Sequence, residues 1–138
     1  MRILFDTNVL ASAFGGRAGL CADLFRLAVD QHELLMAEVV LRELRSVLIR
    51  KFRMLPSLAG EIDDFLRTFD VIATPRAASE FALRDNGDLA VLGSAISAEA
   101  DLLVTGDKEL LRLDDSRIRF RIVTPRQAWT MIRRPPER

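Results

Sequence analysis

Four acidic residues stand where a carboxylate could do chemistry: Asp6, Glu43, Asp88 and Asp107. Asp6 ends the apolar stretch ILF, and Asp107 follows the apolar run LLV after the two residues TG. Glu43 and Asp88 fall in the early turns of two stretches whose apolar residues recur at helical spacing. These acids can act together only if the fold brings distant parts of the chain to one place.

Carboxylates that meet in one crevice repel each other. At ~4 Å and an effective dielectric constant of ~20, each like-charged pair costs about 4 kcal/mol. A shared proton could relieve this repulsion, but a divalent cation does so better. With one histidine and one cysteine in the chain, zinc is disfavoured, and we expect one or two Mg²⁺ or Mn²⁺ ions. Such a site supports phosphodiester hydrolysis, the chemistry of a nuclease.

The elements that must position these acids alternate between short apolar runs and longer helical patterns, which predicts an α/β fold with parallel strands. Predicted strands lie near residues 2–6, 34–37, 70–73, 102–105 and 118–123. Predicted helices lie near residues 18–30, 38–51, 57–69, 88–100, 107–113 and 125–132. The carboxyl ends of parallel strands form the ligand-binding edge of an open sheet, so all four acids should reach that edge.

Length and composition limit the possible classes of protein. The 138 residues predict a single domain over residues 1–133, with the polar tail 134–138 frayed. Equal numbers of basic and acidic residues give no global positive field, so contacts with nucleic acid must come from a local patch. The single Cys21 excludes an internal disulfide and, with the absence of a signal-like or membrane-spanning stretch, predicts a soluble cytoplasmic protein.

Four motifs resemble those of a known family. ILFDTNVL, VVLRELRSVL, RDNGDLAVLGSA and VTGDKELL are similar, in order and spacing, to the acidic motifs of PIN-domain ribonucleases, and most similar to the VapC-like toxins of toxin–antitoxin systems. The resemblance runs from residue 1 to about residue 130. It implies a three-layer α/β/α sandwich with a mainly parallel five-stranded sheet, and metal-dependent endonucleolytic cleavage of RNA. In toxin members an antitoxin protein blocks the site, and the enzyme is commonly a homodimer.

The resemblance also assigns residues. Asp6, Glu43, Asp88 and Asp107 fall on the family's acidic positions, as catalytic residues and metal ligands. Four further residues are candidates for supporting that site: Asn8, Thr105, Asp85 and Glu109. The chain departs from the related group at Asn86, where a proline is usual, at Leu89, which replaces an acid, and at Ala37, where a polar residue is common.

Basic residues could form an approach for an RNA backbone. The candidates are Arg17, Arg42, Arg45, Arg50 and Lys51. They could equally be solvated helix faces. The sequence offers no aromatic platform for base stacking, since it lacks tyrosine and Trp129 fits a packed helix position.

Each acid has a simpler interpretation. Asp6, Asp88 and Asp107 could cap turns or helices, and Glu43 could pair with neighbouring arginines on a solvated face. Two other functions also stay open. One is a phosphatase of the haloacid dehalogenase type with Asp6 as covalent nucleophile, although Asn8 stands where that family needs an acid. The other is a non-catalytic module that binds a metal or another protein.

Overall fold

The computed structural model describes residues 1–16, 18–73 and 80–133. These residues contain a five-stranded sheet in the order β3-β2-β1-β4-β5, with every strand pair parallel. The strands are β1 Arg2–Phe5, β2 Glu33–Ala37, β3 Asp70–Ile72, β4 Leu102–Val104 and β5 Arg121–Val123. The predicted α/β class and five-stranded sheet are confirmed.

Seven helices join and flank these strands in the described part of the chain. They are α1 Thr7–Gly15, α2 Leu20–Gln31, α3 Glu38–Arg50, α4 Pro56–Leu66, α5 Asn86–Ser97, α6 Lys108–Leu111 and α7 Pro125–Ile132. Because parallel crossovers are right-handed, the order of strands places α1 to α4 on one face of the sheet and α5 and α6 on the other. Helix α7 returns to the first face, where it contacts α2. The result is a three-layer α/β/α arrangement.

The centre of the sheet is formed by β1 and β4, whose register pairs Ile3 with Leu102 and Phe5 with Val104. These four side chains are at most 1% exposed, as expected of strands covered by helices on both faces. The crossovers reverse direction between β1 and β4. In an open α/β sheet this reversal opens a crevice outside the carboxyl ends of the two strands.

Apolar side chains fill both sides of the sheet. The larger cluster lies mainly under α1 to α4 and α7, and a smaller one joins Phe81 and Leu83 to Leu92 of α5 and Leu110 of α6. No helix of the described residues is long and apolar enough to cross a membrane.

The observed bounds of the predicted elements lie within three residues of the predicted ones, and two elements differ most. Helix α1 was not predicted, although it starts directly after the first strand. The last strand is shorter than predicted, Arg121–Val123 instead of 118–123, although Arg117, Arg119 and Arg121 are exposed and the residues between them are half-buried, as the alternation indicated. The predicted frayed tail, residues 134–138, lies outside the described residues.

Candidate functional site

An acidic cavity of ≈ 180 Å³ opens at the carboxyl ends of β1 and β4. The four principal acids predicted from the sequence all line it, although they come from four different segments of the chain. The described residues that line it are Asp6, Thr7, Asn8, Glu43, Asp85, Gly87, Asp88, Val91 and Asp107. The fold therefore brings these carboxylates into one crevice.

Asp6 is held at the base of the cavity, where it is 8% exposed. Its backbone N–H donates to the Val104 carbonyl (2.9 Å), which continues the β1–β4 pairing by one residue. Its side chain caps α1, with Oδ1 accepting from the N–H of Thr7 at 2.8 Å. Burial raises the pKa of the Asp6 carboxyl, hydrogen bonds from Thr105 and Thr7 oppose this rise, and nearby acids add to it. The ionised Asp6 carboxylate is thus held in place by hydrogen bonds but is poorly solvated.

Thr105 joins the two strand ends. Its hydroxyl, which is fully buried, donates to Asp6 Oδ2 at 2.7 Å. The hydroxyl oxygen of Thr105 also accepts a hydrogen bond from the backbone N–H of Asp107 at 3.0 Å. One hydroxyl therefore sets the relative position of two of the principal acids.

Asp88 lies in the first turn of α5, which Asp85 caps. Asp85 Oδ1 accepts from the backbone N–H of Asp88 at 3.0 Å. Burial raises the pKa of Asp88 to about 7, with further contributions from the charges of Asp107 and Asp85 and from a hydrogen bond between the carboxyls of Asp88 and Asp107. Gly87 gives the Asp85 carboxyl its room, since a Cβ there would lie 2.8 Å from Asp85 Oδ1.

Asp107 caps α6, because its Oδ1 accepts from the N–H of Glu109 at 2.8 Å. The Glu109 side chain is exposed and is not among the described residues lining the cavity. Asn8 also lines the cavity, and its Oδ1 accepts a long 3.4 Å hydrogen bond from the N–H of Gly106. Asp6 and Asp107 are the expected caps, whereas α5 is capped by Asp85 and not by Asp88. The capping aspartates also line the shared cavity, so capping does not exclude a functional role.

Glu43 reaches the cavity from α3 and is the most solvated of its principal acids. Its neighbour Arg42 bonds elsewhere, donating to Glu38 at 3.3 Å, and Glu38 also accepts from Arg67 at 2.6 Å. Arg42 is thus engaged in a separate surface network one helical turn away.

The side chains that line the cavity offer oxygen atoms as ligands, the type of donor that a hard divalent cation prefers. Within residues 1–16, 18–73 and 80–133, no group of three or more His, Cys, Asp or Glu side chains is arranged to hold a metal ion. A Mg²⁺ or Mn²⁺ ion here would therefore have to be held by few carboxylates directly and by water in its remaining positions. The raised pKa values of Asp6 and Asp88 show that the cavity favours neutralising charge. The residues present therefore fit a water-rich Mg²⁺ or Mn²⁺ site.

The predicted basic approach is separate from the cavity. Arg42, Arg45, Arg50 and Lys51 are exposed, and none of them lines the acidic cavity. Because α3 leads away from the carboxyl edge at 1.5 Å per residue, Arg50 lies roughly 10 Å beyond Glu43 along the helix axis. Arg17 lies outside the described residues.

The sequence analysis missed Thr7, which lines the cavity and is 4% exposed. Its Oγ1 is the one buried side-chain N or O atom in the described chain that lacks a hydrogen-bond partner. The signal was available, because a polar residue directly after a strand-ending aspartate is a candidate for the first turn of a helix.

A family model described as PIN domain matches residues 2–109. The fold is similar to a chain in the crystal structure of VapBC2 from Rickettsia felis bound to a DNA fragment from their promoter, with a TM-score of 0.64 and 18% sequence identity, covering 90% of this chain and 98% of that chain. At this identity the likeness concerns the fold. Among curated proteins none matches the sequence significantly.

Proposed function

Since the chain belongs to the PIN domain family, we propose that it is a Mg²⁺- or Mn²⁺-dependent endoribonuclease that acts as the toxin of a toxin–antitoxin pair. The observation that carries this proposal is the acidic cavity, in which Asp6, Glu43, Asp88 and Asp107 meet at the switch point of the sheet. These four acids would hold one or two ions, directly or through water. A bound ion would polarise a phosphate oxygen and lower the pKa of a water molecule.

The chain's own residues divide the remaining work. Thr105 keeps Asp6 and Asp107 in register, and the caps of α1, α5 and α6 fix three carboxylates on rigid helix starts. Asp88 holds a proton near neutral pH, in hydrogen-bond contact with Asp107, and this lowers the repulsion in the cavity. Proton and cation therefore compete for the same acids, and we expect metal affinity to rise with pH.

The biological setting is part of the same proposal. The similar structure is a VapBC2 complex, and this chain covers 98% of the matched chain. A fold shared over nearly the whole chain supports the same kind of partner, so we propose a cytoplasmic protein that forms a homodimer and is held inactive by an antitoxin.

A cleavage assay tests the enzymatic claim. Purified protein is incubated with structured and unstructured RNAs in Mg²⁺, in Mn²⁺ and in EDTA, beside the Asp6→Asn variant. Glu61→Gln is the matched control, because Glu61 is an exposed acid of α4 and does not line the cavity. We expect internal cleavage with either metal, loss of cleavage with EDTA or Asp6→Asn, and full activity in Glu61→Gln.

Three outcomes would contradict the proposal. Cleavage that persists in EDTA would contradict the proposed metal dependence. An aspartyl-phosphate trapped on Asp6 would indicate a phosphatase. Metal binding without turnover on any RNA would indicate a non-catalytic module. The toxin role is tested by expression in cells: growth arrest by the unmodified chain, and none by Asp6→Asn, is the expected result.

A further inference from the structure

A second hollow surface continues from the acidic cavity along α1. One part, ≈ 230 Å³, shares Asn8 with the acidic cavity and extends to Ser12 and Cys21. The next part, ≈ 270 Å³, shares Ser12 and Cys21 and extends to Gly16 and Phe52. We call this continuous surface, from Asn8 to Phe52, the α1 groove.

Helix α1 gives the groove its direction. Asn8, Ser12 and Gly16 follow each other at four-residue spacing, so they lie on one side of the helix, and all three are exposed. At 1.5 Å per residue they span roughly 12 Å. The opposite side of the helix carries Leu10, which is buried in the core. The groove therefore leads away from the acids along a rigid wall.

The α1 groove differs from the acidic cavity in charge. None of the described residues that line it carries an ionisable acid or base other than Cys21. Burial raises the pKa of the Cys21 thiol, so it stays neutral, and it makes a side-chain hydrogen bond with Ser12. A phosphodiester strand that must reach four carboxylates would meet repulsion on the acidic side and none along this wall.

The far end of the groove holds the aromatic ring of Phe52, a residue that the sequence alone did not single out as a platform for base stacking. Phe52 is 38% exposed, and its ring lies close against Gly15. A Cβ at Gly15 would lie 2.7 Å from the Phe52 ring, so only glycine leaves room for the ring there. An exposed aromatic face is the kind of surface on which unpaired bases stack.

We propose that the α1 groove binds the single-stranded segment of the RNA that leads to the scissile phosphate, with Asn8 and Ser12 along the backbone and Phe52 under a base. This inference rests on the proposed function and adds to it the position of the bound strand on α1. It favours unpaired RNA, because base stacking on a side chain requires a base that is free of a duplex.

A pair of charge substitutions at Ser12 tests the path of the backbone. Binding of a fluorescently labelled single-stranded RNA is measured by anisotropy in Mg²⁺, on the Asp6→Asn background so that the probe is not cleaved. Ser12→Lys should tighten binding about three- to tenfold, and Ser12→Asp should weaken it by a similar factor. The dependence of log K on log salt should steepen by about 0.7 in Ser12→Lys, the value for one added phosphate contact on a single strand.

The same two substitutions at Ser57 are the matched control. Ser57 is an exposed serine on α4 and lines neither the acidic cavity nor the α1 groove. Both Ser57 variants should bind RNA as the background protein does. Equal effects at Ser12 and Ser57 would indicate a change of net charge alone and would overturn the groove.

Substitutions of Phe52 test the stacking platform. Phe52→Ala should weaken binding about 5- to 150-fold, the range for one base–aromatic stack. Phe52→Leu keeps apolar contact with Gly15 but should also weaken binding, whereas Phe52→Tyr should restore it. Urea unfolding of each variant separates lost stacking from lost stability. Tight binding by Phe52→Leu, or equal affinity for a hairpin of the same sequence, would overturn the platform.

The outcomes distinguish the two proposals. If the unmodified protein cleaves RNA but the Ser12 and Phe52 variants bind RNA unchanged, the proposed nuclease activity is supported and the proposed role of the α1 groove is refuted. Opposite effects of the two Ser12 variants on RNA binding, in a protein that cleaves no RNA, would support the groove and remove the nuclease. RNA that neither binds nor is cleaved would remove both.

Discussion

Replacing Asp88 by asparagine should make the metal-free protein more stable. The amide is neutral at every pH, and its N–H₂ can donate to Asp107, the carboxyl with which Asp88 is hydrogen-bonded. The Asp85 cap is unaffected, because it accepts from the backbone N–H of residue 88. The substitution thus copies the protonated form of Asp88.

The size of the effect follows from the pKa of Asp88, which burial and nearby acids raise from 3.8 to about 7. At 1.36 kcal/mol per pKa unit, the full shift corresponds to about 4 kcal/mol. Asp88 is half-buried at a cavity open to solvent, and screening reduces this value, so we expect a gain of about 1–2 kcal/mol at pH 8.

The gain depends on pH with a definite sign. Below about pH 4 Asp88 carries its proton in the folded and the unfolded chain, and its repulsion is absent. As pH rises from about 4 to about 7 the unfolded chain releases the proton more readily, so the native protein loses stability. The advantage of Asp88→Asn should therefore be largest at pH 8 and shrink towards pH 4.

Urea unfolding in EDTA at pH 5 and pH 8 measures this directly, with Glu61→Gln as the control at an exposed acid outside the cavity. Saturating Mg²⁺ should stabilise the unmodified protein more than Asp88→Asn, because the cation relieves the same repulsion. Two results would refute the electrostatic reasoning. One is an Asp88→Asn protein that is less stable than the unmodified chain at pH 8. The other is a change in the free energy of unfolding that is the same at pH 5 and pH 8.

Three further substitutions probe the framework of the site. Thr7→Val removes a buried hydroxyl that lacks a partner among the described residues, so the free energy of unfolding should rise by about 1 kcal/mol, whereas Thr7→Ser, which keeps the hydroxyl, should show no gain. Thr105→Val should lower stability by about 2–3 kcal/mol, because two hydrogen bonds are lost. It should also raise the pKa of Asp6, because the Thr105 hydroxyl lowers that pKa. An unshifted acidic limb of the pH–rate profile would contradict the expected rise in pKa. Gly15→Ala forces a Cβ to within 2.7 Å of the Phe52 ring and should lower stability by about 1–3 kcal/mol; a double-mutant cycle with Phe52→Ala should show that the two losses are not additive.

The sequence could predict the site because the acids lie at strand ends. Asp6 and Asp107 follow apolar runs that can only be buried strands, and parallel strands place their ends on one edge. Asp88 was assigned to the cavity from its helical face, and the structure places it there. In each case the local pattern determines the element, and the topology determines the edge.

Helix α1 could not be predicted from the local sequence pattern in the same way. Its sequence TNVLASAFG mixes β-branched and small residues and ends in glycine, so intrinsic helix propensity is modest. The helix is stabilised instead by the Asp6 cap and by packing of Leu10 into the core. Because the helix was missed, so were Thr7 and the whole α1 groove, which depend on knowing which side of α1 faces outward.

The Thr105 hydroxyl bonds to a partner 99 residues earlier in the chain. Translation at 5–20 residues per second would separate the synthesis of the two residues by roughly 5–20 s. During that interval β1 lacks its neighbour β4, and Asp6 has neither Thr105 nor Asp107 beside it. A nascent chain therefore passes most of its synthesis without the contacts that assemble the acidic cavity.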